Sequence, residues 1–394
     1  MNLLFYTDSK ISPTKGGTEH TTLTVANQLY NRYNCKCWAC HIYDENTKDC
    51  SCFEKQYTLD SNYIKENLKS IISSNNINVF FSESNFDMPA IVDDIRKECG
   101  LNLIIIFVHH FSPAWEGYYG TKFLPCFRLI KRKHGVEKLK SIIKCFFYPY
   151  FGRRGMEWLS GEYRKAYLHS DKVVLLTKGY VPEFKEFAKL EDDKKFYVIP
   201  NALSLPDILD KTGYYHVKKK VVLVVSRFEE VQKRISLVLK IWERISKDKR
   251  SKEWKLLIAG EGVDGERYKK YVNKNNISNI EFLGRVNPIP YYTESSIFMM
   301  TSKSEGFPLT LNEAMQYGVV PFAFDSFAAI RDIINDGENG YIIPEKDLDE
   351  YSEKLLNLMT DYNLRHKMAM NAIESCQRYL PEPIGDMWWK LLIE

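Results

Sequence analysis

The segment KKVVLVVSRFEEVQKR, residues 219–234, decides the fold. It reads as a short apolar strand that ends in a charged loop carrying Arg227 and Lys233, with a helix to follow. The same alternation runs outward on both sides. Toward the N-terminus lie NLLFYT, a helix from about Glu19, KCWACHIY, NVFFSES, NLIIIFV, KVVLLT and FYVIP; toward the C-terminus lie WKLLIAG, IEFLG, SIFMMTS, VVPFAFD and GYIIP. Strands that alternate with helices imply βαβ units and a parallel sheet. A restart at residue 219 implies two of them, so the expected class is α/β with two Rossmann-like halves. Between the halves, IPNALSLPDILDKTGYYHVKKK carries two prolines, a glycine and a basic run, which suits a linker.

Length agrees with two cores: 394 residues is too long for one ordinary domain. A hydrophobic content of 44% with 27% charged residues is that of a globular enzyme, without low-complexity tracts or internal repeats. The net charge of +4 gives no ground for a nucleic-acid partner. The distribution says more, because Lys122 to Arg154 holds ten Lys or Arg against the single acid Glu137. The opening MNLLFYTDSK lacks the basic and small-residue features of a signal peptide, and the longest apolar runs are far short of the ~20 residues that span a bilayer. Cys35, Cys37, Cys40, Cys50 and Cys52 do not have a zinc spacing; they read as reduced thiols on and around a strand.

Ligands of open parallel sheets bind beyond the carboxyl ends of the strands. After the first strand come Gly16 and Gly17, then Thr18 as a natural N-cap; the glycines serve either a turn or the approach of backbone amides to a phosphate. His109 and His110 close the strand LIIIFV. Arg227 and Lys233, six residues apart, suit a diphosphate, with a solvated charged loop as the plain alternative. Gly260 and Gly262 have a spacing that a nucleotide or a tight turn would require. In TSKSEGFPLTLNEAM, Pro308 is expected in the first turn of a helix, which leaves Glu305 on the loop and Glu313 on the helix.

With these residues in place, SEGFPLTLNEAM resembles the E-x7-E motif of retaining nucleotide-sugar glycosyltransferases of family 4, which have the GT-B fold. SRFEEVQKR, GGTE, VIPNAL, IAGEG and NDGENGYIIP match further family motifs, in order, over nearly the whole chain. The resemblance implies two Rossmann-like domains facing across a cleft, residues 1–203 and 204–378, with a basic and aromatic helical insertion at about 122–165. A last helix, 379–394, would cross back to the first domain. It further implies that Arg227 and Lys233 hold the donor diphosphate, that Glu305 meets the donor sugar and that Glu313 meets the ribose. Gly260 and the backbone of Gly306, Phe307, Pro308 and Leu309 would also face the donor, and Gly16 and Gly17 the phosphates or the acceptor. His109 is the better match to the family's first-domain histidine, with His110 in reserve. Where the family often has two glycines and a glutamate, this chain has Phe327, Ala328, Ala329 and Asp332.

The implied activity is transfer of a hexose-type sugar from a nucleoside diphosphate, UDP before GDP, to a glycan or lipid-linked acceptor in bacterial cell-surface polysaccharide synthesis. It needs no metal or resident cofactor, since the nucleotide sugar is a co-substrate, and it places the chain in the cytoplasm. Lys131, Arg132 and Lys133, with His110 nearby in the same half, are the candidate acceptor and membrane residues, because cations beside Phe127, Phe146 and Phe147 suit the inner face of an anionic membrane. A solvated basic face is the alternative. A GT-B epimerase would need carboxylate acid/base partners that are missing, and a dehydrogenase would need G-x-G-x-x-G after the first strand. A non-catalytic nucleotide-sugar-binding protein would not need Arg227, Lys233, Glu305 and Glu313 together.

Overall fold

The computed structural model describes residues 1–12, 17–44, 47, 49–117, 142, 148–203, 205 and 217–394. Gly16, Lys131, Arg132 and Lys133, most of the basic insertion and most of the linker after Ala202 lie outside these residues. The chain divides into two compact units, Met1–Ser204 with Pro381–Glu394, and Leu205–Leu380.

Among the described residues the first unit is built on a seven-stranded sheet of order β3-β2-β1-β4-β5-β6-β7. The strands are β1 (Asn2–Tyr6), β2 (Lys36–His41), β3 (Phe53–Thr58), β4 (Val79–Glu83), β5 (Ile104–His109), β6 (Lys172–Leu175) and β7 (Phe196–Val198). Every pairing is parallel. Helices α1 (Thr18–Tyr33), α2 (Ile64–Ser74), α3 (Met88–Cys99), α4 (Tyr148–His169) and α5 (Tyr180–Phe187) cover its faces. The central strands are buried throughout, and Phe5 of β1 stacks on Phe81 of β4 at 4.4 Å. Strand β3 was not expected from its sequence, FEKQYT. It pairs only with β2 at the sheet margin, where Glu54 and Lys55 stay in water while Phe53 and Gln56 turn inward. Cys37 and Cys40 lie buried on β2 without a disulfide, and burial pushes the nearby Cys52 thiol up to about 12.

The second unit carries a six-stranded sheet of order β10-β9-β8-β11-β12-β13. Its strands are β8 (Val221–Val225), β9 (Lys255–Ala259), β10 (Ile280–Gly284), β11 (Ile297–Met300), β12 (Val320–Phe324) and β13 (Tyr341–Ile343). The helices are α6 (Ile235–Ile245), α7 (Gly265–Lys274), α8 (Ile289–Glu294), α9 (Leu309–Gln316), α10 (Ile330–Ile333), α11 (Leu348–Thr360) and α12 (Tyr362–Cys376). Helix α6 shows how the sequence builds this layer. Ile235, Val238, Leu239, Ile241, Trp242 and Ile245 recur at helical spacing and are all buried, packing with Val222, Leu256 and Ile258 of the sheet. Each such side chain contributes about 1.5–3 kcal/mol of transfer free energy. Asp347 and Asp361 cap the starts of α11 and α12 through their carboxylates.

The last helix, α13 (Pro381–Ile393), belongs to the first unit and packs on α1. Trp389 stacks on Tyr33 at 4.7 Å, buried Trp388 meets Phe81 edge-on, and Asp386 pairs with Arg32 at 2.7 Å. The contact is close because residue 385 is glycine: a Cβ there would lie 2.8 Å from that of Gln28. Among the described residues no helix is long and apolar enough to cross a membrane.

Candidate active site

In both sheets the strand order reverses direction beside the first strand of the unit, at β1/β4 and at β8/β11. These switch points are where ligands of such sheets bind.

At β8/β11 the site is assembled by two loops that hold one another. After β8 the chain passes through Ser226–Phe228 directly beneath the glycines that follow β9. A Cβ on Gly260 (φ +134°) would lie 1.8 Å from the Ser226 carbonyl, and one on Gly262 (φ +154°) 2.6 Å from that of Phe228. Packing of one loop on the other therefore accounts for this glycine spacing, and the expected tight turn or nucleotide contact is not needed to explain it. The Phe228 amide donates to Glu261 O at 2.8 Å, while Arg227 stands exposed.

Glu229 then accepts hydrogen bonds from the Val231 and Gln232 amides, and Glu230 from the Ser236 amide and the Tyr268 hydroxyl. The two acids of EEVQKR thus close the turn that presents Lys233. Arg234 follows in the left-handed region at φ 52°, with its side chain buried. It donates to Thr301 O at 2.7 Å, Ser302 O at 2.9 Å and Ser326 Oγ at 2.7 Å, and pairs with Glu345 at 2.7 Å. Sequence reading passed over Arg234, although it stood beside Lys233 in the quoted motif. Gln232 completes the tie by donating its side-chain amide to Ser304 O at 2.9 Å.

The result is that Lys233 Nζ and Glu305 Oε1 meet at 2.5 Å with both side chains largely shielded. They line a narrow pocket together with Ser226, Thr301, Ser302 and Thr310. Pro308 occupies the N-cap of α9 (φ −75°, ψ 89°), one place before the first turn in which it was expected. Leu311 and Asn312 both donate to Pro308 O at 3.2 Å, which leaves the amides of Leu309 and Thr310 at the open end of the helix. Gly306 is half-buried, and Phe307 is buried edge-on against Tyr379. Glu313 lies on α9 and accepts from the hydroxyl of buried Tyr292 at 2.9 Å. Burial pushes the Glu313 carboxyl up from the ordinary glutamate range, opposed by that hydrogen bond. Glu305 and Glu313 therefore differ in kind: the first is an ion-paired loop carboxylate, the second a half-buried carboxyl held by a phenol.

At β1/β4 the arrangement departs from expectation in two respects. Gly17, with φ 70°, takes the N-cap of α1, so Thr18 is the first helical residue and does not cap the helix. Thr21 and Thr22 instead turn their hydroxyls back onto Thr18 O. The second correction concerns His109, whose ring has no exposed surface. Phe86, Phe107, Phe111, Tyr163 and Phe184 surround it, and Nε2 lies 3.0 Å from the Tyr163 hydroxyl, which itself donates to Glu116 at 2.7 Å. Burial, helped by the neighbouring His110, pushes the His109 imidazole down to about 3, so it is neutral. The reason is the period of a strand: residues 108 and 110 face α1 and α13, and residue 109 faces α4 and α5. His110 is the histidine that lines a pocket at the strand end. Its Nε2 lies 2.5 Å from Oε2 of Glu83, the last residue of β4. Glu83 was also passed over, although its place in NVFFSES, at the end of a strand, was the available signal.

Residues 212–375 match the family model described as Glycosyl transferases group 1. The chain is 31% identical over 179 residues to the amylovoran biosynthesis glycosyltransferase AmsD of Erwinia amylovora, covering 44% of this chain and 48% of that protein. It is 27% identical over 224 residues to an uncharacterised glycosyltransferase of Haemophilus influenzae, covering 56% of this chain and 61% of that one. The chain thus spans about half the length of these curated relatives. Among solved structures, Anabaena Alr3699/HepE in complex with UDP superposes with a TM-score of 0.73 at 14% identity over 100% of both chains. The fold is GT-B.

Proposed function

We propose that the protein is a retaining glycosyltransferase that moves a hexose-type sugar from a nucleoside diphosphate, UDP before GDP, to a saccharide acceptor, glycan or lipid-linked. The observation that carries this reading is the Lys233–Glu305 pair, which lines one pocket with Thr310 of the open amide end of α9, while Arg227 is exposed on the same loop as Lys233. Breaking the bond between the anomeric carbon and the diphosphate oxygen leaves new negative charge on the leaving nucleotide. Lys233 and a helix N-terminus fixed in advance, with Arg227 free to close on the phosphates, stabilise such charge, so the reaction as proposed needs no divalent ion. The acceptor oxygen forms the new bond to the anomeric carbon on the same face, and its proton passes to the departing phosphate oxygen. Glu305 meets the donor sugar and Glu313 the ribose. The UDP bound to the HepE structure and the polysaccharide named for AmsD support the donor and the pathway class, cell-surface polysaccharide synthesis.

Work at the inner face of a cell membrane belongs to the same proposal. It is supported by the basic stretch of the sequence and by Arg153, Arg154 and Trp158 exposed on α4.

The test is a melting-temperature panel with UDP, GDP, ADP and dTDP, followed by hydrolysis of the sugars of whichever nucleotide binds. One nucleotide is expected to raise the melting temperature of the native protein and to fail with Lys233→Met, and Glu305→Gln is expected to lower hydrolysis by about 10²–10³-fold. A Glu305→Gln variant that works at the full rate overturns the assignment.

A further inference from the structure

We propose that Glu305 is a specificity-determining residue that turns the site against the free nucleoside diphosphate, the leaving product, by competing with it for Lys233; the inference rests on the transferase reading and deepens it. The cation assigned to the diphosphate is already engaged: Lys233 Nζ lies 2.5 Å from Glu305 Oε1, with 15% and 12% of the two side chains exposed. Among the described residues that line their pocket, Lys233 is the one cation and Glu305 the one acid. The backbone beside the pair is tied from loop to loop. The Lys303 amide donates to Gln232 O at 2.6 Å and the Gln232 side-chain amide to Ser304 O at 2.9 Å, while the Thr301 hydroxyl lies 3.0 Å from Lys233 O. Arg234 adds its bonds to Thr301 O and Ser302 O. A ligand can therefore turn the two side chains apart, but the loops stay together, and the carboxylate stays beside any phosphate that reaches Lys233.

An ammonium has three protons, so it can hold Glu305 and a phosphate oxygen together, but the two anions then stand about 4–5 Å apart. That is well inside the Debye length, where salt screens little. A free nucleoside diphosphate brings a terminal phosphate whose second pKa is about 6, hence an extra negative charge near neutral pH, and it brings no sugar hydroxyl. In the sugar nucleotide that phosphate oxygen is bound to the anomeric carbon, so the extra charge is gone. A sugar hydroxyl can then donate to Glu305, and hydrogen bonds to a carboxylate are the stronger kind. One carboxylate thus favours the donor and disfavours the nucleotide left after transfer, which speeds product release.

The sign of one effect separates this role from a structural one. If Glu305 merely held Lys233 in place, removing its charge would weaken nucleotide binding; if it competes, removal tightens it. Calorimetric titration with UDP and GDP is paired with hydrolysis of UDP-glucose, UDP-galactose, UDP-N-acetylglucosamine and GDP-mannose. The Kd of whichever nucleotide binds is expected to fall about tenfold in Glu305→Gln, even as hydrolysis of its sugar nucleotide falls. Glu305→Ala is expected to shift the Kd in the same direction and serves where the glutamine variant does not fold. The native protein supplies a measurement that needs no variant: the Ki of the free nucleotide in donor hydrolysis should be no lower than the KM of its sugar nucleotide. Nucleotide binding that is unchanged or weaker in the variants overturns the inference and leaves the transferase reading standing, as does a native Ki far below that KM. A native protein that binds neither nucleotide and hydrolyses none of these donors overturns the transferase reading and this inference with it.

Discussion

The two switch points share a topology and solve the same problem in different ways. At β8/β11 the candidate side chains are charged, sit on loops, and are held by a second set of charges: Arg234 ties the loops, Glu229 and Glu230 close the turn, and Lys233 meets Glu305. At β1/β4 they sit at strand ends, and the strand itself aims them, so the alternation of β5 alone decides that His110 lines a pocket and His109 does not. Loops that carry chemistry need ties of their own, whereas strand ends inherit the rigidity of the sheet.

The largest expected effect tests that difference through two glycines. Gly260→Ala would drive a Cβ to 1.8 Å from the Ser226 carbonyl at φ +134°, so loss of more than about 4 kcal/mol, seen as insoluble or unfolded protein, is expected. Gly17→Ala, at φ +70° with open space around it, should cost only about 1–2 kcal/mol in a urea titration.

A middle-sized effect is expected from one acid in each unit. Burial works to raise Asp93, but hydrogen bonds from Lys97, His169 and Arg96 overcome it and hold the carboxyl well below the aspartate range. Its folded pKa is depressed, so its contribution is complete above the unfolded pKa, about 4, and drains away as pH falls below that value towards the lower folded one. Asp93→Asn is expected to cost about 3 kcal/mol at pH 7, with the deficit shrinking in acid. Glu313 has the opposite sign. Its folded pKa is raised, so the unfolded chain releases the proton first and the native state loses stability as pH rises above about 4. Glu313→Gln should therefore melt higher than the native protein at pH 7, no higher at pH 4, and bind the nucleotide less tightly. Equal melting at both pH values would remove the claim that this carboxyl is held at a cost to stability.

The smallest effect concerns His109. Its cage is aromatic and its ring neutral, so His109→Phe should shift stability by no more than about 1 kcal/mol and leave turnover within a factor of two. A larger loss of turnover would place His109 in the chemistry after all.

The central strands were legible because strands buried on both faces must be continuously apolar, as in VVLVV and NLLFY. Strand β3 was not, since an edge strand is free to carry Glu54 and Lys55. The sequence also placed Lys233, Glu305 and Glu313 on the right loop and helix, because Lys233 follows an apolar strand and Pro308 marks the start of the helix between the two acids. It could not separate His109 from His110: adjacent residues share a sequence neighbourhood but face opposite sides of a sheet, and the parity depends on where the strand begins. Arg234 and Glu83 were missed for a related reason, as their importance lies in partners 67 and 27 residues away.

Helix α13 gives the chain an order of assembly. The first unit has all its strands once Val198 has been made, yet the face of α1 that receives Trp388 and Gly385 stays uncovered until the entire second unit has been synthesised. On the ribosome the half made first is therefore the half finished last. For the time it takes to add residues 205–380 its exposed α1 face is open to mispairing with other nascent chains.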